Sequence, residues 1–416
     1  MPDPIPAADA LAPFRPARDK ILGCVRIALL SDCYPPRLGG IETQVRDLGR
    51  QLVAAGHEVH VFTATPGAHR GYGLRNVELT QDHGVSVHRV TLPLPFGLPV
   101  NPLAPALVRE ELRAFDVAHV HMGVVSPFAT ALADLALELR LPTAITWHSV
   151  LSTPALALVR RLGTPGRWVD QGAALSAVST MAASLVRQAT EREVPVAVLP
   201  NGIDLTAWRP RGVDPSGQSP GGPSGPGGSS GPGRVRIVTA MRFAPRKRVR
   251  PLLGMLRQVR DSSPERVSAT VFGDGPLLAA AQLQSARDSG WLDLAGRVSR
   301  PELASAYAAA DLYLAPTHLE AFGIAALEAR AAGLPVVAIA SSGVADFIED
   351  DVNGLLAADD ADLVAAARRL VADDALRQRI RAHNLATPPD QQWPHVVGQA
   401  LAQYELAAER RRERAR

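Results

Sequence analysis

An α/β protein built from two doubly wound units facing across a cleft is what this sequence predicts, and three observations lead there. Short apolar runs rich in β-branched residues alternate with amphipathic helical stretches, the pattern of parallel sheets covered on both faces. The alternation breaks at 212–233, "GVDPSGQSPGGPSGPGGSSGPG", where nineteen of 22 residues are Gly, Pro or Ser. So little apolar material cannot offset the entropy of ordering, and the stretch reads as a linker. Finally, 416 residues suffice for two ordinary domains.

In chain order, residues 1–20 carry Pro2, Pro4, Pro6, Pro13 and Pro16 but no apolar core of signal-peptide length, so they read as a loose leader. The first unit spans 21–208. It opens with the strand "VRIALLS" (25–31), a glycine-rich turn and amphipathic helix in "GGIETQVRDLGRQLVAAGH" (39–57), and a second strand, "EVHVFTA" (58–64). Further strands are expected at 116–122, 142–148 and 174–179. The linker is placed at 209–233. The second unit, 234–392, repeats the pattern with strands at 235–242, 268–275, 311–316 and 335–341. Residues 393–416 form a C-terminal helix with a basic tail, expected to pack back on the first unit.

Composition removes several function classes. Hydrophobic content of 46% with 20% charged residues describes a globular chain, and its apolar runs are too interrupted by charge to span a membrane. The net charge of +3 sits in "ERRRERAR" (409–416), whose five Arg and two Glu leave the rest of the chain formally neutral. A nucleic-acid partner is therefore not expected, because such binders spread basic residues over a face. Cys24 and Cys33 flank one strand, and nine extended residues span roughly 30 Å, far beyond disulfide reach. Without a disulfide framework or export signal, the expected compartment is the cytoplasm. The basic tail has two readings: a solvated helix end favourably placed against the helix dipole, or weak peripheral contact with an anionic membrane's inner face.

Ligands in doubly wound sheets bind at the carboxyl ends of strands, so the residues just after each strand carry the functional reading. After the strand ending at Ala240 comes "MRFAPRKR" (241–248), where Arg242 and Lys247 stand five apart on a loop broken by Pro245. Two cations suit a diphosphate, although a solvated basic loop would look the same. After Pro316 comes "THLEAF" and a helix expected over 323–332, closed by Gly333. Free N–H groups at Phe322, Gly323 and Ile324 would make an anion site, and Glu328 lies one turn beyond Ile324. A carboxylate there can accept from a sugar diol. Glu320 and Glu328 are separated by roughly 12 Å of rise if helical, more than the ~5–9.5 Å of a hydrolase acid pair.

These residues resemble the Glu-x7-Glu motif of family-four retaining glycosyltransferases, whose two Rossmann-like domains form the GT-B fold. The likeness covers nearly the whole chain. "YPPRLGGIET" (34–43) is similar to the family's N-terminal glycine loop and "LPNGIDLTAW" (199–208) to its interdomain signature. "MRFAPRKR" resembles its diphosphate clamp, "VFGDGP" (271–276) its second glycine turn, and 296–323 its donor-site segment. The resemblance implies that Glu328 holds the donor ribose and that Arg242 and Lys247 hold the diphosphate. It implies that Gly40, Phe322, Gly323 and Ile324 bring backbone to phosphate or sugar, and that Val298 meets the nucleobase. It gives catalytic positions to Glu320, beside the breaking bond, and to His148, near the anomeric end. On the residues alone, His148 reads equally as a satisfied strand-end imidazole.

The chain departs from the family pattern at Met241, where glycine is usual, and at Asp346, where Glu is usual; no role is carried onto Asp346. His119 and His121 alternate on a strand, so one of them is expected to face the cleft. "DAD" (360–362) spells a metal motif of another glycosyltransferase fold, but its place at a helix start reads as an N-cap. No metal and no cofactor is expected, the nucleotide sugar being a substrate. The implied reaction is retaining transfer of a hexose-type sugar, GDP-mannose or UDP-N-acetylglucosamine being the foremost donors, to a hydroxyl of a small molecule or lipid. An epimerase acting on sugar nucleotides, or a catalytically silent sugar-nucleotide binder, would share the nucleotide grip.

Overall fold

The computed structural model describes residues 23–37, 39–67, 76–92, 100–190, 193–210 and 233–416. The expected leader, and the linker apart from Arg209, Pro210 and Gly233, lie outside the described residues.

The first unit runs β1 (Arg26–Ser31), α1 (Gly40–Ala54), β2 (Glu58–Thr63), β3 (Asn76–Asp82), β4 (Val85–Thr91), α2 (Ala104–Leu112), β5 (Val117–Met122), α3 (Pro127–Glu138) and β6 (Thr143–Trp147). It continues with α4 (Thr153–Leu162), α5 (Thr164–Asp170), β7 (Ala174–Ala177), α6 (Thr180–Gln188), β8 (Val196–Val198) and α7 (Leu205–Trp208). Its strands form one sheet in the order β3-β4-β2-β1-β5-β6-β7-β8. All neighbours pair parallel except β3 with β4.

The second unit holds β9 (Val235–Ala240), α8 (Val249–Asp261), β10 (Val267–Phe272), α9 (Leu278–Ser285), β11 (Leu292–Gly296), α10 (Arg300–Ala309) and β12 (Leu312–Ala315). Then come α11 (Ile324–Ala331), β13 (Val336–Ile339), β14 (Gly354–Ala357), α12 (Asp360–Ala372), α13 (Asp374–Ala386) and α14 (Trp393–Ala415). This sheet is parallel throughout, in the order β11-β10-β9-β12-β13-β14.

The expected strands are present, and the apolar-run criterion missed five more. Hairpin strand β3, "NVELTQD", is an exposed antiparallel edge with alternating polar residues, so it lacks the continuous apolar run of a buried strand. Strand β8 has only three residues, β11 (LDLAG) is interrupted by Asp293, and β14 (GLLA) opens on Gly354 and has no β-branched residue. β4, by contrast, is largely buried, but His88 and Arg89 interrupt its apolar run. Residues 273–275, expected to extend β10, leave it because Gly273 turns at φ 131°, where a Cβ would lie 1.8 Å from Met241 O.

Strand order decides where a ligand can sit. In each sheet the chain reverses its direction of winding next to the first strand, between β1 and β5 and between β9 and β12. The loops leaving those four strands diverge there and open a crevice. A continuous apolar cluster joins the units behind that crevice, carrying Val178 and Ala182 together with Phe322, Val344 and Phe347.

Helix α14 crosses to the first unit. Trp393, Val396, Val397, Ala400 and Tyr404 bury one stripe in the cluster containing Val45, Leu48 and Leu52 of α1. Each large apolar side chain so buried is worth roughly 1.5–3 kcal/mol. Tyr404 reaches His119 Nδ1 at 2.9 Å, and Arg410 donates to Ala173 O at 2.6 Å. Arg411, Arg412, Arg414 and Arg416 are exposed. Among the described residues no helix is long and apolar enough to cross a membrane.

Candidate functional site

The crevice between the two units has a volume of about 590 Å³. Its lining comes from the loops after β1, β5 and β6 on one side, and after β9 and β12 on the other.

On the second unit's side, the loop after β9 turns through a 3-10 segment, Pro245–Lys247, and ends at Arg248 in the left-handed conformation (φ 60°). That backbone is costly for a residue with a Cβ and is held by three contacts. Arg248 donates from Nη1 to Pro316 O (2.9 Å) and Asp360 Oδ1 (2.7 Å), and from Nη2 to Asp360 Oδ2 (2.6 Å). His318 Nε2 shares Asp360 Oδ1 at 2.8 Å. The hydrogen bonds from Arg248 pull the Asp360 carboxyl down to about 2. The β9 and β12 loops are thereby locked together, and Lys247, Arg242 and Arg246 all line the crevice.

Lys247 Nζ donates to Glu320 Oε2 at 2.5 Å, so a cation of the β9 loop and the first acid of the Glu-x7-Glu stretch are paired. Arg242 is exposed and makes no ion pair among the described residues. Beyond Glu320 the chain enters α11 through Gly323, whose φ of 89° and 2.5 Å approach of Val344 Cγ2 to a built Cβ both require glycine. The amides of Phe322, Gly323 and Ile324 have no hydrogen-bond partner among the described residues. Three free donors at a helix N-terminus make an anion site beside the cations.

On the first unit's side the lining carries an Arg37–Glu42 ion pair (3.3 Å) and a cluster of histidines. His148 Nε2 meets His121 Nδ1 at 2.9 Å, and His121 packs against His119 with ring centroids 4.1 Å apart and planes tilted by 38°. Burial holds the His148 imidazole down at about 4, against a smaller upward pull from Asn201, and holds His119 at about 3. Burial, followed by its two histidine neighbours, pushes His121 well below the ordinary imidazole value. Asp32 caps α3 by accepting from Phe128 N (3.1 Å) and Ala129 N (3.4 Å), and burial raises its carboxyl to about 6.

Eight of the ten residues singled out in the sequence line this crevice: Gly40, His148, Arg242, Lys247, Glu320, Phe322, Gly323 and Ile324. The two units meet closely there, since a Cβ built on Gly40 would lie 3.4 Å from Ile324 Cδ1. Glu328 and Val298 are outside the lining. Glu328 is 7% exposed beneath Arg300, and Val298 is half-buried against the apolar cluster.

Two expectations need correction. His119 and His121 share one face of β5, because side chains repeat every two residues along a strand. His121 alone lines the crevice only because His119 lies deeper, under Tyr404. The N-cap of α12 is Asp359, which accepts from Ala361 N and Asp362 N; Asp360 is the partner of Arg248.

One cluster has metal-ligand chemistry, His60, His88 and Glu111. His60 Nδ1 faces His88 Nε2 at 2.8 Å in nearly coplanar rings (18°), while Glu111 Oε1 sits 3.1 Å from the opposite nitrogen, His88 Nδ1. One donor atom from each lies within 4.8 Å of the others, and both His88 nitrogens are already engaged, one by His60 and the other by Glu111.

Two family models match the chain, "Glycosyltransferase Family 4" over residues 38–207 and "Glycosyl transferases group 1" over 234–373. A D-inositol 3-phosphate glycosyltransferase of Xylanimonas cellulosilytica is 30% identical, over 90% of this chain and 93% of its own. The chain is a family 4 glycosyltransferase. The family is a retaining one, and the enzyme transfers sugar from a nucleoside-diphosphate sugar. A GDP-mannose-dependent alpha-mannosyltransferase of Corynebacterium glutamicum is 28% identical over 92% of this chain and 90% of its own. Among solved structures, Anabaena HepE in complex with UDP and glucose superposes with a TM-score of 0.66 at 20% identity, covering 91% of this chain and 98% of that one. Such likeness establishes the GT-B fold.

Within this glycosyltransferase, the sequence missed how the site is braced. Asp346, to which no role was carried, accepts from Thr180 N at 2.6 Å and joins the second unit to the start of α6. Gln44 of α1 exchanges two hydrogen bonds with Gly202 (3.1 and 3.0 Å), fixing the interdomain signature beside His148. The lone signal for Asp346 was the family position it occupies. Gln44 offered none.

Proposed function

We propose that this glycosyltransferase moves a hexose-type sugar from GDP-mannose or UDP-N-acetylglucosamine to a hydroxyl of a small-molecule or lipid acceptor. The observation that carries the reading is the Lys247–Glu320 pair, set between exposed Arg242 and the unpartnered amides of 322–324 and sharing one crevice with His148. A diphosphate drawn to Arg242 and those amides competes for Lys247 and releases Glu320 to accept from the sugar's hydroxyls. Charge building on the departing diphosphate then meets donors already in place, which is where preorganised electrostatics lowers a barrier most. His148, neutral and shielded, shapes the anomeric end. Val298 and Glu328 take the nucleoside. The mannosyl donor named for the Corynebacterium relative supports GDP-mannose as the first candidate.

The test is a thermal-shift panel of nucleoside-diphosphate sugars, since a ligand selective for the folded state raises its melting temperature. The donor that stabilises most is then incubated with candidate acceptors and the product's anomeric configuration read by NMR. Stabilisation by GDP-mannose or UDP-N-acetylglucosamine above the other donors is expected. A larger shift with a pentose or uronic-acid donor overturns the donor reading.

A further inference from the structure

We propose that Arg300 is a positioning residue of the donor site: it neutralises Glu328 while leaving that carboxylate free to grip a ribose, and ties it through Asp47 to the other unit. This rests on the reading of Glu328 as the ribose acid.

Glu328 is buried, and its carboxylate has no hydrogen bond among the described residues. A buried carboxylate so placed demands a partner. Arg300, the first residue of α10, supplies one loosely, with Nη2 3.9 Å from Glu328 Oε1. A tight bidentate pair would occupy both oxygens, whereas a cation at this distance offsets the charge and leaves the lone pairs for a diol. The other arm of the guanidinium, Nη1, meets Asp47 Oδ2 at 3.2 Å. Asp47 is itself held from α1 by Arg46 Nη2 at 2.7 Å and Nε at 2.8 Å. One side chain therefore spans α1 of the first unit and α11 of the second, at the nucleoside end of the site.

The charged and titratable groups facing Glu328 are Arg300 on α10, Asp47 on α1, and the buried phenols of Tyr307 and Tyr313. Burial raises the Glu328 carboxyl to about 8, with Arg300 pulling it down and Asp47 pushing it up. Neutralising the two neighbours must then move it in opposite directions.

The experiment measures affinity for UDP and GDP by titration calorimetry from pH 6.5 to 9.5, with inorganic pyrophosphate as the ligand lacking a ribose. Circular dichroism verifies that each variant is folded. Nucleotide affinity should rise with pH through about 8 in the parent enzyme. Arg300→Gln should weaken both nucleotides at least about tenfold at pH 7 and move that rise to higher pH, while Arg300→Lys stays within about threefold of the parent. Asp47→Asn should move the rise to lower pH, and pyrophosphate should respond to none of these changes. Parent-like nucleotide binding by Arg300→Gln, or shifts of the same sign in Arg300→Gln and Asp47→Asn, overturns the proposal. Glu328→Gln separates the layers. If it leaves nucleotide affinity intact, the ribose assignment itself falls; if it weakens nucleotides and Arg300→Gln does not, only the role of Arg300 falls.

Discussion

The two walls of the crevice are made by opposite uses of burial. On the second unit, charged side chains pair with one another: Lys247 with Glu320, and Asp360 with both Arg248 and His318. On the first unit, beside an Arg37–Glu42 pair, three histidines are packed side by side in the sheet and kept neutral by desolvation, with no charged partner. A glycosyl transfer that sheds a diphosphate needs positive charge at one end and a shape-defining surface at the other. The difference shows that a like density of polar side chains can serve either purpose, depending on whether each has a counter-ion or only imidazole and hydroxyl neighbours.

Removing charge from the charged wall should have the largest effect. The double substitution Arg242→Ala with Lys247→Ala is expected to cost on the order of 10²-fold or more in kcat with the fold intact. A well-folded double variant turning over at near-parental rate would remove the diphosphate assignment and erase the contrast between the walls.

Glu320→Gln sharpens the division within the charged wall. It keeps the side chain's shape and frees Lys247, so free-nucleotide affinity should hold or improve slightly while kcat falls roughly tenfold or more. Equal losses in nucleotide affinity and kcat would place Glu320 on the nucleotide and not on the sugar.

The histidine cluster makes a pH prediction. Imidazole NMR signals of His119, His121 and His148 should not titrate between pH 5 and 8, since burial holds His148 at about 4, His119 at about 3 and His121 well below the ordinary value. The linkage sign follows. A histidine whose folded value lies below its unfolded ~6.5 contributes stability that is complete above that pH and lost as pH falls towards the folded value. Asp32 and Glu328, raised by burial, act in the opposite sense, so the parent is compared with a His119→Gln variant. The variant's urea midpoint should fall less between pH 6.5 and 5 than the parent's. A steeper fall would mean that His119 is charged in the folded protein.

Much of the charged wall was legible because it is local. A parallel strand fixes where its following loop emerges, so "MRFAPRKR" after β9 and "THLEAFG" after β12 had to meet at the sheet's switch point. Gly323 was legible only as backbone at the start of the helix; its positive φ and its contact with Val344, 21 residues on, came from the structure. Other pairings were hidden. Lys247 and Glu320 are 73 residues apart, Arg300 and Asp47 are 253 apart, and His119 and Tyr404 are 285 apart. No periodicity links such positions, and the even spacing of His119 and His121 was misread even though the pleat alone settles their common face.

By itself, the sequence determined two parallel α/β units, the loops that line the crevice and the residue types placed on them, because apolar periodicity, glycine and proline act within a few residues. Tertiary structure decided which acid pairs with which cation, which histidines lose their charge and how the units grip one another. Those outcomes depend on distance and desolvation, and both are set only when α14 and the α1–α11 contact bring remote parts of the chain together.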